Sequence, residues 1–305
     1  MGLAALAWLL FAQDSLPQRL EARVAGTTLE PGLKDAVQSA VLAGKLADAE
    51  QVLVQELNRK PLSPEVLALS ALLFLADNQA LNAAIALKKL EKIRPLTTDE
   101  RFTLAMAYTA LKRTKWARSE LDQLAKQFPS KALYPYWLAR LSYDDAKYED
   151  AEHLMRHVIE LEPSFARAYD NLGLNLEAQG RVDEALAAYV IAMDLDQKGE
   201  KSGWPALNYG TLALRIGNLN QAKSALDTAA NLAPGSAQAH YRLGVWNEVS
   251  GNSPQSIREL QTSTRLDPHY AEPWWALARL LRRDGDIPGA DAALAQFKKV
   301  KNLKQ

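Results

Sequence analysis

An interval of 34 residues governs this chain. Counted in such units from Glu30, with one insertion of Glu200, Lys201 and Ser202, position 20 is Ala49, Ala83, Ala117, Ala151, Ala185, Ala222, Ser256 and Ala290. Position 8 is Val37, Ala71, Ala105, Ala139, Gly173, Gly210, Gly244 and Ala278. Position 24 is Leu53, Leu87, Leu121, Met155, Tyr189, Leu226, Leu260 and Leu294. Position 32 is Pro61, Pro95, Pro129 and Pro163, then Gln197, then Pro234 and Pro268. Chance does not place alanine seven times in eight at one offset.

Each position has a physical reason. Within residues 166–199, Tyr169, Leu172, Gly173 and Leu176 fall at helical spacing, Gly180 reads as a helix stop, and Ala185, Tyr189 and Ala192 follow at helical spacing again. Two such short helices cannot bury their apolar faces alone. Small residues at positions 8 and 20 let them approach closely in antiparallel, ridge into groove. Larger residues at 4, 7, 11 and 24 fill the surrounding space. Proline at 32 ends the second helix, because it lacks an N–H and disfavours helix in the residue before it. Each pair then stacks on the next, sharing burial between neighbours.

This pattern resembles the tetratricopeptide repeat family, whose period is also about 34 residues. The resemblance covers repeats at 30–63, 64–97, 98–131, 132–165, 166–199, 203–236, 237–270 and 271–304. It implies an all-α fold, an α-solenoid of helix–turn–helix repeats forming a right-handed superhelix. The ends depart from the pattern: Val37 stands where a small residue belongs, and the last repeat has no closing proline. Its final helix carries Lys298, Lys299, Lys301 and Lys304, read as a solvated, solubilising end rather than a binding patch. The joint after Gln197 predicts a longer second helix or a small change of superhelix direction.

In such arrays the first helix of each repeat lines the concave face, with positions 2, 5, 6, 9, 12 and 13 on one helix side. The family resemblance therefore marks a groove with two halves. Repeats two and three contribute Ala68, Leu69, Leu72, Leu75, Phe102 and Met106, an apolar stretch. Later repeats contribute Tyr136, Trp137, Arg140, Tyr143, Arg167, Asp170, Asn171, Glu177, Trp204, Asn208, Thr211, Tyr241, Arg242, Trp275 and Arg279, with Arg282 and Arg283 beyond. Tyrosine, tryptophan and arginine dominate binding hot spots. Asn171 and Asn208 hold position 6 in consecutive repeats, where the family's peptide binders grip a peptide backbone; an amide offers both donor and acceptor. The same asparagines also suit a role between neighbouring helices. Trp274 and Tyr169, at position 4, read as core.

Catalytic signatures do not occur: no phosphate-binding glycine loop, no nucleophile elbow, no metalloprotease His-Glu pair. His153 and His157 share one helix face, but without a third ligand nearby they read as solvated outer residues. No cofactor or metal is expected. The absence of cysteine excludes disulfides and thiolate metal sites, and 36 basic against 36 acidic residues give no sign of a nucleic-acid binder.

Residues 2–12 form an unbroken run of small and apolar residues, too short for the roughly 20 needed to span a bilayer. The run suits a secretory signal or short anchor, without the usual preceding basic residue, or else a helix docked on the repeats. Export to a periplasmic setting follows from the first reading, cytoplasmic residence from the second, and membrane contact is expected only through residues 1–12. Residues 13–29 read as a linker or short capping helix, with Leu16, Leu20 and Val24 spaced four apart.

The functional expectation is a non-enzymatic scaffold for a protein or peptide partner, an extended segment with apolar side chains on Leu72, Phe102 and Met106. Its acidic groups or C-terminal carboxylate would meet Arg140, Arg167, Arg242 and Arg279. The alternatives are an apolar small molecule or lipid in the apolar half, or the N-terminal run folded back to fill it.

Overall fold

The computed structural model describes Leu20 and residues 24–302. The expectations for residues 1–12 and for Leu16 and Lys304 lie outside those residues. Among the described residues there are helices and turns but no strands, and sixteen helices fit eight helical hairpins. They are α1 (Pro31–Leu42), α2 (Leu46–Arg59), α3 (Pro64–Ala76), α4 (Ala80–Glu91), α5 (Thr98–Ala110), α6 (Thr114–Gln127), α7 (Leu133–Asp144) and α8 (Tyr148–Leu161). The series continues with α9 (Ala166–Ala178), α10 (Val182–Lys198), α11 (Trp204–Arg215), α12 (Leu219–Leu232), α13 (Ala237–Val249), α14 (Ser253–Leu266), α15 (Ala271–Arg283) and α16 (Ile287–Asn302).

The chain divides into two compact units, residues 1–146 and 147–305, the division falling inside the fourth sequence repeat. In the first unit each helix from α1 to α7 packs on the next, and α3 also meets α5. In the second unit each helix from α8 to α16 packs on the next, and α9 meets α11, α11 meets α13, and α13 meets α15. In both units, appreciable contact between helices two apart in sequence occurs where both are first helices of a hairpin. The first helices therefore crowd together on the inner side of each stack, and the second helices splay on the outer side.

Local chemistry accounts for the element ends. In α2, α6, α8, α12 and α14 the helix stops two residues before its position-32 proline. Where Gln197 replaces that proline, α10 runs on to Lys198 and reaches 17 residues, so the longer second helix expected at this joint is present. Thr97 and Glu100 cap α5 reciprocally, and Arg94 holds both oxygens of Glu100 at 2.8 Å.

All eight hairpin turns use one residue in the left-handed region, always repeat position 15: Gly44, Asn78, Lys112, Ala146, Gly180, Gly217, Gly251 and Gly285. The turn lets an N–H just beyond the helix bond back into its last turn, as Arg181 N does to the Leu176 carbonyl at 2.9 Å. Glycine adopts this backbone freely and asparagine tolerates it, whereas lysine and alanine are strained.

The packing inside each hairpin follows the sequence periodicity. The position-8 residues, the position-20 residues and the position-24 residues up to Leu260 are buried, and Leu294 is partly so. A Cβ built on Gly173 would lie 2.5 Å from the Tyr189 ring, and one on Gly244 would lie 2.8 Å from Leu260. Ser256, standing where alanine is the rule, donates its hydroxyl to the Gly244 carbonyl at 2.7 Å. At the N-terminal end Leu20 and Val24 are helical and buried with Val37, Val41, Leu53, Leu69 and Leu72. They cap the first hairpin's apolar side. At the other end Lys298, Lys299 and Lys301 are exposed.

Two stability measurements follow. Lys112→Gly and Ala146→Gly should each stabilise by about 0.5–1 kcal/mol, since relief of left-handed strain exceeds the entropy cost of glycine, and each should raise the urea midpoint. Gly173→Ala should cost about 1–3 kcal/mol, because the facing group is a fully buried aromatic ring. Gly244→Ala should cost a comparable amount, since Leu260 is equally buried and its Cγ would lie 2.8 Å from the new methyl; no measurable loss at either site would contradict this packing account.

Candidate functional site

Each unit has its own inner face, and the two differ in chemistry. In the first unit, α5 is packed by α3, α4 and α6, so an arc of it wider than the sequence pattern implies is buried. Phe102, at repeat position 5, is buried and meets the Tyr134 ring edge-on at 6.0 Å. Met106 is wholly buried, and Leu72 and Tyr136 are buried too. All four were expected to present surface to a ligand; Phe102, Met106 and Tyr136 serve as packing instead, whereas Leu72, though buried, still lines a cavity. Tyr136 packs edge-on against Trp137, and Arg140 lies over the Trp137 ring at 5.6 Å, while Tyr143 is half-buried. The open space on this side is a cavity of about 360 Å³, with Ala68, Leu69 and Leu72 as its apolar wall and Gly26, Thr27 and Thr28 across it. Glu65, Arg94, Asp99 and Glu100 supply its polar rim.

The second unit's inner face is polar, and its polar groups are tied together. Two of the first helices, α11 and α15, hand donors back to carboxylates of the first helix before them. Asn208 Nδ2 donates to both oxygens of Asp170 at 2.9 and 3.1 Å. Arg215 pairs with Glu177 at 2.8 Å. Arg279 and Arg283 share Glu248 at 2.6 and 3.5 Å. Arg167 reaches Glu200 in the insertion at 2.5 Å. Asn171 Nδ2 donates to the Arg167 carbonyl within its own helix at 2.8 Å. The amide donors expected to hold a peptide backbone are thus engaged inside the protein. The arginines expected to meet a partner's acids differ among themselves: Arg167 and Arg279 are ion-paired, whereas Arg242 has no ion pair among the described residues and stacks on Tyr241 at 5.2 Å.

Around Arg242 the surface is aromatic. Tyr241 packs edge-on against Tyr270 at 5.3 Å. Burial pushes the Tyr241 phenol up and the Tyr270 phenol to about 12. Trp275 is 51% exposed and leans on Phe297 of α16, and Trp204 is 50% exposed at the start of α11. Thr211 is half-buried within α11. Trp274 and Tyr169 are half-buried rather than fully enclosed, and the Trp274 indole N–H donates to the Pro268 carbonyl at 3.0 Å.

Several residues that hold this face together carry no distinctive sequence signal. Asp196 is buried in α10 and accepts from Ser202 N, Ser202 Oγ and Gly203 N at 3.0, 2.8 and 2.9 Å. It pins the three-residue insertion into a turn with Lys201 and Gly203 in the left-handed region. A lone aspartate at a helix C-terminal end looks unfavourable by the helix dipole, so its role emerges only from the fold. Glu248 likewise matters as the common acceptor for two arginines.

The sequence of residues 138–198 and 207–252 matches the tetratricopeptide repeat family model. Those two stretches are tetratricopeptide repeats. Its fold is similar to crystal structures of yeast Tom70 (12% identity, TM-score 0.71, 93% of this chain over 65% of that one). It is also similar to a tetratricopeptide repeat protein from Parabacteroides merdae (15% identity, TM-score 0.66, 82% of this chain over 98% of that one). A third likeness is to the Cut9–Hcn1 hetero-tetramer of APC/C (17% identity, TM-score 0.56, 96% of this chain over 54% of that one). The chain thus spans about two thirds of the Tom70 chain and half of the third, and these likenesses show the fold alone. No curated protein matches it in sequence. Among the described residues no helix is long and apolar enough to cross a membrane, and no group of three or more acidic or histidine side chains is placed to hold a metal.

Asp196→Ala should remove three hydrogen bonds to a buried carboxylate and cost about 2–4 kcal/mol. Hydrogen exchange should accelerate at residues 199–203 and at the start of α11. Unchanged protection there would show that the insertion is held by other contacts.

Proposed function

We propose that this protein is a non-enzymatic interaction scaffold that holds an extended segment of a protein partner on the inner face of its second unit. Repeats of this family are generally non-catalytic scaffolds, which supports the broad class. The observation that carries the finer reading is Arg242: a guanidinium without an ion pair among the described residues, stacked on Tyr241, on helix α13 between the first helices that bear Trp204 and Trp275. Half-exposed tryptophans supply contact area at low entropy cost, and the free arginine supplies orientation. An acidic side chain or terminal carboxylate of the partner fits opposite it. The apolar half of the groove drops out of the peptide path, since Phe102 and Met106 are buried. If residues 1–12 act as a secretion signal, the setting is an envelope assembly.

A pull-down from the native source tests this reading. The Arg242→Ala, Trp275→Ala double variant should lose most partner capture while staying folded, with a melting temperature only a few degrees below wild type, because Arg242 is half-buried and Trp275 half-exposed. Undiminished capture would refute the groove reading. The cavity beside Leu69 and Leu72 supports a second reading, an apolar small molecule or lipid. Native mass spectrometry of the purified protein should then show a retained ligand; bare mass alone would remove it.

A further inference from the structure

The outer side of the first unit carries a feature that the inner-face reading does not use. Helices α2 and α4, second helices of adjacent hairpins, flank a furrow of about 560 Å³. Its walls include Val54 and Leu57 from α2, Phe74 from α3 and Ile85 from α4, with Glu50 and Gln79 beside them. Val54 is 40% and Ile85 46% exposed, which leaves two branched apolar side chains in water along one channel.

Glu50 is the anomaly within it. The residue is 93% buried, by its 7% exposure. Its Oε2 accepts from Gln79 Nε2 at 2.6 Å, and its buried Oε1 has no hydrogen-bond partner among the described residues. The same Gln79 amide nitrogen also serves Asp77 at 2.8 Å. One neutral donor is therefore shared by two carboxylates, and neither has an ion pair among the described residues. Desolvation raises the Glu50 pKa, and the Asp77 charge raises it further.

The second unit contains the same carboxylate with its shell complete. Glu152 holds repeat position 21 in α8, as Glu50 does in α2. Arg156, one turn later, donates to its Oε1 at 3.0 and 2.8 Å. Arg181, at position 16 of the next repeat, and Gln179 donate to its Oε2 at 2.6 and 3.0 Å. Its pKa is lowered by these donors despite its burial. The first unit has Val54 at the place of Arg156 and Gln79 at the place of Arg181. Both guanidinium groups are missing, and an apolar channel lies where one would run.

We propose that the α2–α4 furrow docks an arginine side chain of a partner protein, whose guanidinium completes Glu50 while its apolar neighbours cover Val54 and Ile85. Charge complementarity selects the occupant, since an uncompensated pair of carboxylates favours a cation. Arginine suits the site better than lysine because its planar fork reaches two acceptors at once and carries less tightly held water. The furrow is independent of the inner face around Arg242, so the two readings stand or fall separately.

The test uses the full chain, labelled at Val, Leu and Ile methyls, titrated with hexylguanidinium and with uncharged hexylurea. The expected result is saturable shifts at Val54 and Ile85, with hexylguanidinium binding about tenfold more tightly than hexylurea. Glu50→Gln should remove that preference while leaving the hexylurea response intact. Val54→Arg copies Arg156 into the furrow; it should abolish hexylguanidinium binding and raise the melting temperature. Equal binding of the two probes, no saturable shift at these methyls, or binding that survives Val54→Arg would each overturn the proposal.

Discussion

The close approach of two antiparallel helices at a position without a side chain, or with a single methyl, underlies everything else in this protein. At Gly173 the backbone of α9 comes so near the Tyr189 ring that even a Cβ would collide, and Gly210 and Gly244 repeat the arrangement with Leu226 and Leu260. Dispersion and burial scale with such proximity, because a gap of an ångström forfeits much of the contact. A hairpin so closed still leaves apolar surface on its flanks. Stacking is the only way to bury it, which is why the unit recurs and why burial is shared between neighbours.

Stacking in turn makes two unlike surfaces. First helices meet each other on the inner side, as α9, α11, α13 and α15 do, so their polar residues come within reach and form ion pairs from one helix to the one before. Second helices stand apart, and the spaces between them remain as furrows. Carboxylates on the inner face of the second unit, such as Asp170 and Glu248, are met by adjacent first helices, while at the outer furrows pairing rests on the local residues: Glu152 has arginines beside it, and Glu50 has only Gln79 among the described residues.

Legibility in the sequence was uneven for a physical reason. Positions under steric selection were plain: the alanines at position 20, the small residues at position 8 and the prolines that stop the second helices all act through volume or backbone geometry. Even the irregular joint showed itself, since Gln197 removes a stop and α10 lengthens accordingly. The ligand-facing assignments were much less secure. Assigning Phe102 and Met106 to an open groove failed because α5 is enclosed by three other helices, and one helix period cannot register how far its neighbours wrap around it. Asn171 and Asn208 had the right side chemistry for gripping a peptide, but their donors had closer acceptors in Arg167 and Asp170.

From its sequence alone, this protein is a run of helical hairpins with known turn points, because short-range sterics and a fixed period leave no other economical fold. Tertiary structure decided which charges are spent internally and which remain. Electrostatic pairing depends on distances across helices that the period does not encode: Arg279 finds Glu248, Asp196 finds Ser202 and Gly203, and Arg242, unpaired by any charge among the described residues, stacks on a tyrosine ring. Those distances, set by how each hairpin seats on the next, separate the residues that hold the scaffold from those left to meet a partner.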